Sequence, residues 1–272
     1  MTISPQQLLR AELATMRAYH VADTKGMIKL DAMENPHPFP ASLQDQWLNT
    51  LKKVALNRYP DPQATLLKQA FREKFAISSG LELLLGNGSD ELIQLLILAI
   101  ARPDACILTV TPSFSMYKLI AKFIGVHVIE VPLMANSFAL QTDLVRKHIQ
   151  ENNPALIFLS CPNNPTGTLW PQDDVEKIVQ QANGLVVIDE AYVPFSAHSL
   201  LALAEQYSHV LILRTVSKMG LAGLRLGWML GAAQWLNELN KLRLPYNINT
   251  LTQASATFAL NNISVFNSQA EL

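Results

Sequence analysis

The stretch LELLLGNGSDELIQLLILAIA (81–101) passes from a continuous apolar run through a glycine turn into a helical pattern. The run at 81–86 predicts a buried strand, and the residues after the turn predict a helix from Ser89 to about Ala101. A strand without polar alternation is typical of a sheet that is covered on both faces. The stretch therefore predicts one strand–turn–helix unit of an α/β fold.

Strand and helix patterns alternate through the residues that follow. Further strand-like runs lie at 105–110, 126–131, 155–160, 185–190, 210–215 and 224–230. Helical patterns lie near 114–124, 142–151, 171–182, 199–206 and 232–243. This order predicts an α/β fold with a mostly parallel sheet flanked by helices, in which ligands bind beyond the carboxyl ends of the strands.

Prolines punctuate the first part of the chain, in DAMENPHPFP (31–40) and NRYPDP (57–62). Asp61 followed by Pro62 predicts that a helix starts there and continues through QATLLKQAFREKF (63–75). The apolar side chains of this helix are spaced so that they share one face: Leu66, Leu67, Ala70, Phe71 and Phe75.

The composition is that of a globular protein. Of 272 residues, 49% are hydrophobic and 16% are charged, which suits one large α/β domain or a domain with a small appendage. The net charge of -1 gives no electrostatic reason to expect nucleic-acid or anionic-membrane partners. The run at 92–101 is too short to cross a membrane. Cys106 and Cys161 lie in no CxxC pair, which indicates reduced thiols and a cytoplasmic location.

Two loops that follow predicted strands carry groups able to bind a ligand. In GNGSDE (86–91), the free N–H groups of a helix start favour an anion, and glycine lets a phosphate approach. The alternative is an ordinary turn with Ser89 as the helix cap. In SCPNNPTG (160–167), asparagines beside prolines offer amide hydrogen bonds from a stiff loop, and here too the alternative is a plain turn.

The apolar run VVIDE (186–190) ends in two carboxylates, Asp189 and Glu190. A buried carboxylate is unfavourable unless it is paired or hydrogen-bonded. For Glu190 we expect a structural hydrogen bond, and for Asp189 a cationic partner.

The segment TVSKMGLAGLRLG (215–227) places Lys218 among small and apolar residues, with Arg225 seven positions later. A desolvated lysine has a lowered pKa, and its neutral amine is nucleophilic. An isolated lysine of this kind more often extends to solvent from a strand end. Together with the anion-binding turn, the amide loop and Asp189, it fits a ligand that has a phosphate, a basic ring nitrogen and an aldehyde. Pyridoxal phosphate combines these three groups.

At these residues the chain resembles the class II aminotransferases, which are fold-type I pyridoxal-phosphate enzymes. The motifs NRYPDP, GNGSDELI, PNNPTG, VVIDEAYVPF and SKMGLAGLRLG occur in that family's order and spacing. KLDAMENPHP (29–38) is similar to the KLNANENP opening of the histidinol-phosphate aminotransferase branch. The resemblance runs from about residue 28 to about residue 250.

The resemblance implies roles for individual residues. Lys218 would bond to the cofactor aldehyde and move the proton in catalysis, and Asp189 would pair with the pyridine nitrogen. Tyr192 and Asn164 would hydrogen-bond the 3-oxygen of the ring, and Phe114 would stack on the ring. The cofactor phosphate would be held by Gly88, Ser89, Asp90, Ser217 and Arg225.

Two further residues belong to the periphery of the implied site. Tyr59 would reach the cofactor phosphate of a partner subunit, which implies a homodimer, and Asn35 would lie on the substrate side. The implied domains are an N-terminal arm (1–40), a large cofactor-binding domain (41–245) and the start of a small C-terminal domain (246–272). Family members are longer, so the chain is expected to lack C-terminal arginines that bind substrate.

The implied reaction converts L-histidinol phosphate and 2-oxoglutarate to imidazole-acetol phosphate and L-glutamate, in histidine biosynthesis. The cofactor motifs leave alternatives open. These are a threonine-phosphate decarboxylase, an aromatic or broad aminotransferase, and a fragment that binds pyridoxal phosphate with impaired activity.

Overall fold

A computed structural model describes residues 3–10, 13, 16–21, 23–196 and 198–272. Its helices, numbered α1 to α11, are Pro5–Leu8, Ala41–Leu51, Thr65–Lys74, Ser89–Ile100, Met116–Ile124, Thr142–Asn152, Gln172–Gln181, Leu201–Gln206, Ala233–Asn240, Thr250–Asn261 and Ile263–Glu271. Its strands, numbered β1 to β7, are Glu82–Gly86, Cys106–Thr111, His127–Pro132, Leu156–Ser160, Leu185–Asp189, Val210–Thr215 and Gly227–Gly231.

The strands of the described residues form one sheet in the order β1-β7-β6-β5-β4-β2-β3. Neighbouring strands from β3 to β6 run parallel, whereas β7 is antiparallel to both β6 and β1. The predicted mostly parallel sheet flanked by helices is therefore confirmed. The predicted strand at 224–230 begins later than expected, at Gly227, because the residues before it form a short turn at Ala222–Leu224.

Apolar side chains fill both faces of the sheet. Val186 and Ile188 of β5 belong to one buried cluster, and Val187 belongs to a second cluster on the opposite face. Successive side chains of a strand point to opposite faces, so a strand that is apolar at every position needs cover on both sides. Helices α4 and α5 pack against the second cluster through residues such as Leu92 and Ile120.

The helix after Asp61 differs from the sequence expectation. It begins at Thr65, because the Asp61 carboxylate accepts hydrogen bonds from the backbone N–H groups of Gln63 and Thr65 and holds the intervening residues in a turn. Leu67 and Phe71 are buried as predicted. Leu66 is 74% exposed and does not share their face, so that part of the prediction is wrong.

The C-terminal helices lie against the main body of the fold. Helix α10 contacts α2 and α3, and Ala256 and Phe266 belong to the same buried cluster as the core of the sheet. The proposed domain boundaries after residues 40 and 245 stay predictions. No helix among the described residues combines the length and the apolar character needed to cross a membrane.

Gly227 provides a test of how β7 packs. A Cβ at this position would lie 2.5 Å from the backbone nitrogen of Ser89 and 2.7 Å from the carbonyl carbon of Gly88. We expect Gly227→Ala to lower the free energy of unfolding by about 1–3 kcal/mol, because backbone atoms cannot move aside as a flexible side chain can. Urea denaturation followed by circular dichroism measures this change.

The matched control is Gly80→Ala. There the new Cβ would make one ordinary contact, 3.6 Å from the Ser78 hydroxyl. We expect a change of less than about 0.5 kcal/mol for this exposed position. Equal effects of the two substitutions would contradict the close approach of β7 to the start of α4.

Candidate active site

A cleft of about 340 Å³ opens where the parallel strands end. Ser160, Asp189 and Thr215, the last residues of β4, β5 and β6, contribute to its wall. Nine of the twelve residues singled out from the sequence line the cleft, namely Ser89, Asp90, Phe114, Asn164, Asp189, Tyr192, Ser217, Lys218 and Arg225. Residues that are distant in the sequence therefore meet at the carboxyl edge of the sheet, as expected for this class of fold.

Lys218 lies on the short turn Ser217–Met219 that follows β6. Its Nζ donates a hydrogen bond to the backbone carbonyl of Ala32 and lies 5.3 Å from the centre of the Tyr192 ring. Burial lowers the pKa of the Lys218 amine, although the nearby carboxylates of Glu34 and Asp90 act in the opposite direction. The amine is therefore easier to deprotonate than that of an exposed lysine, which favours its action as a nucleophile and base.

Asp189 is buried at the end of β5, with 2% of its surface exposed. Its Oδ2 accepts a hydrogen bond from the Tyr117 hydroxyl at 2.6 Å, and its Oδ1 accepts one from the Ala191 backbone N–H at 2.9 Å. Burial raises the pKa of the Asp189 carboxyl to about 6, even though both hydrogen bonds lower it. Within the described residues these donors are neutral, so the cationic partner expected from the sequence is not supplied by them.

The neighbouring carboxylate, Glu190, forms a salt bridge with Arg214. It accepts hydrogen bonds from Nε and Nη2 of Arg214, at 2.9 and 2.7 Å. The Ser199 hydroxyl and the Leu200 backbone N–H also donate to it. Glu190 thus has the structural hydrogen bonds that were predicted for it, and they fix the loop that carries Tyr192.

A corner that suits an anion lies at the start of α4. Gly88, with φ of +82°, leads into the helix, and Ser89 is its first residue and not its cap. The positive φ favours glycine here, and a Cβ on Gly88 would lie 2.6 Å from Nη2 of Arg225, so the guanidinium would have to shift. Arg225 also pairs with Asp90 at 3.1 Å. Free helix N–H groups and a guanidinium together favour a phosphate at this corner.

Side chains from three loops complete the cleft. The Asn164 side chain, after β4, donates a hydrogen bond to the Tyr192 hydroxyl at 3.1 Å. The Ser217 hydroxyl lies 2.8 Å from that of Thr215. The ring of Phe114, before α5, meets the Tyr117 ring edge to face at 5.5 Å. The cleft therefore combines an aromatic wall with polar groups of fixed orientation.

Three of the predicted residues lie outside the lining. Gly88 lies directly behind Arg225, as described above. Tyr59 is 81% exposed and stacks on the ring of Tyr246 at 4.5 Å. The Asn35 side chain donates a hydrogen bond to Gln269 at 3.0 Å and packs against Gly220, next to the turn that carries Lys218.

Several residues at the cleft were not predicted from the sequence, of which Tyr117, Thr215 and Glu34 are the most important. Tyr117 lies three residues after Phe114, so helical spacing from a predicted ring-stacking residue was the available signal. Thr215 ends a predicted strand beside Lys218, a position that also pointed to the cleft. Among the described residues, no group of three or more His, Cys, Asp or Glu side chains is arranged to hold a metal ion.

Comparison with known proteins identifies the family. The model described as "Aminotransferase class I and II" matches residues 25–271. The chain therefore belongs to the class I and II aminotransferases.

Individual relatives define the branch. A histidinol-phosphate aminotransferase of Chromobacterium violaceum is 50% identical over 270 residues, which are 99% of this chain and 76% of that protein. Histidinol-phosphate aminotransferase 1 of Burkholderia lata is 46% identical over 98% of this chain and 75% of its own length. Within the family, these relatives place the chain in the histidinol-phosphate aminotransferase branch.

Solved structures agree on the fold. Histidinol-phosphate aminotransferase of Sinorhizobium meliloti, in complex with pyridoxal-5'-phosphate, has a TM-score of 0.85 at 20% identity. The match covers 97% of this chain and 74% of that one. The enzyme of Clostridium acetobutylicum has a TM-score of 0.78 at 23% identity, over 88% of this chain and 71% of that one. The fold-type I architecture is thus confirmed.

The buried carboxyl of Asp189 predicts a pH-dependent stability. The pKa of the Asp189 carboxyl is about 4 in the unfolded chain and about 6 in the folded protein. Because ionisation is less favourable in the folded protein, the fold loses stability as the pH rises between these two values. With no ligand added, we expect the stability of Asp189→Asn relative to the parent protein to rise by up to about 3 kcal/mol over this window. Urea denaturation at a series of pH values measures this difference.

The control is Asp143→Asn, which makes the same chemical change in a side chain that is 97% exposed. Its stability relative to the parent protein should stay nearly constant over the same pH range. A flat difference for Asp189→Asn as well would be incompatible with a buried acid at this position.

Proposed function

We propose that this chain is a pyridoxal-phosphate-dependent aminotransferase that converts L-histidinol phosphate and 2-oxoglutarate to imidazole-acetol phosphate and L-glutamate. This is a step of histidine biosynthesis. The observation that carries the proposal is the grouping of an amine, a buried carboxylate and an anion-binding corner around one cleft, through Lys218, Asp189 and Arg225. The shared branch with the Chromobacterium and Burkholderia enzymes supports the choice of substrate.

The residues of the cleft fit pyridoxal phosphate. The ionised Asp189 carboxylate is unfavourable in its buried position and would gain from a protonated ring nitrogen. The corner of Gly88, Ser89 and Arg225 suits a phosphate, and Phe114 offers a flat aromatic face. Each functional group of the cofactor thus has a complementary group in the chain.

Each residue then has a task in catalysis. When bound, pyridoxal phosphate supplies an aldehyde that bonds to amines and a ring that withdraws electrons from the bond to be broken. Lys218 Nζ takes the proton from the α-carbon of the amino donor and returns a proton, which its lowered pKa favours. Asp189 keeps the ring nitrogen protonated. Tyr192 and Asn164, already hydrogen-bonded to each other, orient the 3-oxygen of the ring.

We further propose a homodimer in which Tyr59 contributes to the partner's site. Tyr59 lies outside the cleft of its own chain and is exposed together with Leu56 and Leu244. The Tyr59 ring also stacks on that of Tyr246, and exposed apolar surface of this kind is typical of protein interfaces. Asn35 as a substrate contact and a cytoplasmic location also stay predictions.

The proposed activity is tested with the purified chain loaded with pyridoxal phosphate. We expect glutamate to shift the visible absorbance band of the bound cofactor, and L-histidinol phosphate with 2-oxoglutarate to yield glutamate. Release of CO₂ from O-phospho-L-threonine would instead favour a threonine-phosphate decarboxylase, and turnover of aromatic amino acids a broad aminotransferase. A cofactor band that never responds to an amino donor would indicate an inactive binding fragment.

Lys218→Ala tests the role of the amine. We expect turnover to fall by at least about 10³-fold, because the variant lacks the group that moves the proton. Cofactor binding should persist through the phosphate corner, which the substitution leaves intact. The control is Lys177→Ala, which removes a lysine that pairs with Asp174 on the surface. A Lys218→Ala variant that keeps its rate would overturn the mechanism.

Subunit mixing tests the role of Tyr59. A heterodimer of Lys218→Ala and Tyr59→Ala chains would contain one intact site, formed by Lys218 of one chain and Tyr59 of the other. We expect each variant alone to be weakly active and a co-expressed mixture to regain about a quarter of the parental rate, because half of the dimers are mixed and each has one good site.

The control for this experiment combines both substitutions in one chain. Lys218→Ala mixed with the double variant offers no intact site and should regain nothing. Mixed dimers detected by sedimentation but without regained activity would exclude a contribution of Tyr59 across the interface.

A further inference from the structure

Tyr117 lies beneath the cleft at the start of α5 and is completely buried. Its ring stacks on Phe158 of β4, with centroids 4.6 Å apart and planes inclined by 8°. The Phe114 ring lies nearly perpendicular to it, with centroids 5.5 Å apart, and the Tyr117 hydroxyl donates the 2.6 Å hydrogen bond to Asp189. One tyrosine thus supports both the aromatic wall and the carboxylate of the cleft.

We infer that Tyr117 is a positioning residue for Asp189. The Tyr117 hydroxyl fixes the Asp189 carboxylate and favours its ionised form, which can hold a protonated ring nitrogen. This inference rests on the proposed function, because it concerns the same cofactor site. It assigns to Tyr117 no contact with the substrate or with the reacting atoms.

The charges around Asp189 explain why the hydroxyl is needed. Asp90 at the start of α4 and Glu190 in the next position both disfavour a second negative charge, and burial has a larger effect in the same direction. Lys218 also faces the carboxylate from the turn after β6, and Tyr192 from the loop after β5. Of the hydrogen bonds described, those from Tyr117 and from the Ala191 backbone favour the ionised form.

The phenol is suited to act as a permanent donor. Burial, together with the Asp189 charge, raises the pKa of Tyr117 well above its usual range, so its proton stays on the oxygen. Stacking on Phe158 fixes the ring, and with it the direction of the O–H bond. Hydrogen bonds to an ionised acceptor are roughly twice as strong as those between neutral groups. Loss of the hydroxyl would therefore make the ionised carboxylate less favourable.

The decisive variant is Tyr117→Phe, which removes the oxygen and keeps the ring. The probe is pyridoxamine 5'-phosphate, which has no aldehyde and so forms no bond with Lys218, and its affinity is measured by fluorescence titration from pH 5 to pH 8. We expect the affinity at neutral pH to fall about 10-fold. The pH at which binding weakens on acidification should rise by about one unit, since Asp189 becomes harder to ionise.

The matched control is Tyr207→Phe. Tyr207 also donates its hydroxyl to a carboxylate, that of Glu176 at 2.7 Å, but it lies outside the cleft lining, between α8 and β6. Its affinity profile should coincide with that of the parent protein. An unchanged profile for Tyr117→Phe would overturn the inference, whereas failure of the parent protein itself to bind the probe would overturn the proposed function and the inference with it.

A double-mutant cycle separates positioning from packing. The Asp189→Asn variant lacks the negative charge that the Tyr117 hydroxyl stabilises. Adding Tyr117→Phe to it should therefore change the affinity for pyridoxamine 5'-phosphate less than about twofold. The same 10-fold loss in both backgrounds would show that the tyrosine acts by packing alone and would refute the inference.

A second variant covers the case in which Tyr117→Phe fails to fold. Tyr117→3-fluorotyrosine keeps the hydroxyl and makes it a stronger donor. We expect the weakening of binding on acidification to move to lower pH than in the parent protein. No shift, or a shift to higher pH, would contradict the inference.

Discussion

The carboxylate of Asp189 is buried at the end of β5, and the surrounding structure is arranged around that charge. A buried carboxylate remains ionised only where hydrogen bonds or a cation offset its lost hydration. The neighbouring carboxylate of Glu190 is buried as well, and it accepts hydrogen bonds from Arg214, Ser199 and a backbone N–H. Asp189 receives neutral donors from the described residues, so its charge is held in place and left facing the cleft.

Parallel strands explain how such a charge comes to lie beside the amine and the phosphate corner. Ser160 is paired with Asp189 across β4 and β5, and β6 continues the same edge with Thr215. The loops after these strands carry Asn164, Tyr192 and Lys218. The antiparallel strand β7 then brings a glycine against the start of α4, which places Arg225 next to the free helix N–H groups. Distant motifs thus converge because their strands end at one edge.

Much of this could be read from the sequence, since the signals were local. Apolar runs without alternation predict covered parallel strands, and charges within apolar segments drew attention to Lys218 and Asp189. The role of Arg225 was implied by the resemblance to the aminotransferases. The errors arose at residues whose burial or role depends on a tertiary contact. Leu66 was assigned to the buried face because helical spacing alone does not show which edge of an apolar stripe the rest of the fold covers. Tyr117 was missed because an aromatic residue on an amphipathic helix looks like ordinary core, and its hydroxyl matters only once Asp189 is beside it.

The proposed cofactor contacts and the side of the cleft near Lys218 are formed by different parts of the fold. The groups proposed to hold the cofactor stand on strand ends and on the start of α4, where buried neighbours fix them. The side of the cleft near Lys218 is closed by Ala32 and Glu34 of the N-terminal segment, which is tied through Asn35 to Gln269 of α11. That segment is largely exposed. The groups proposed to hold the cofactor therefore lie on buried elements, whereas Asn35, the residue proposed to lie on the substrate side, belongs to a largely exposed segment.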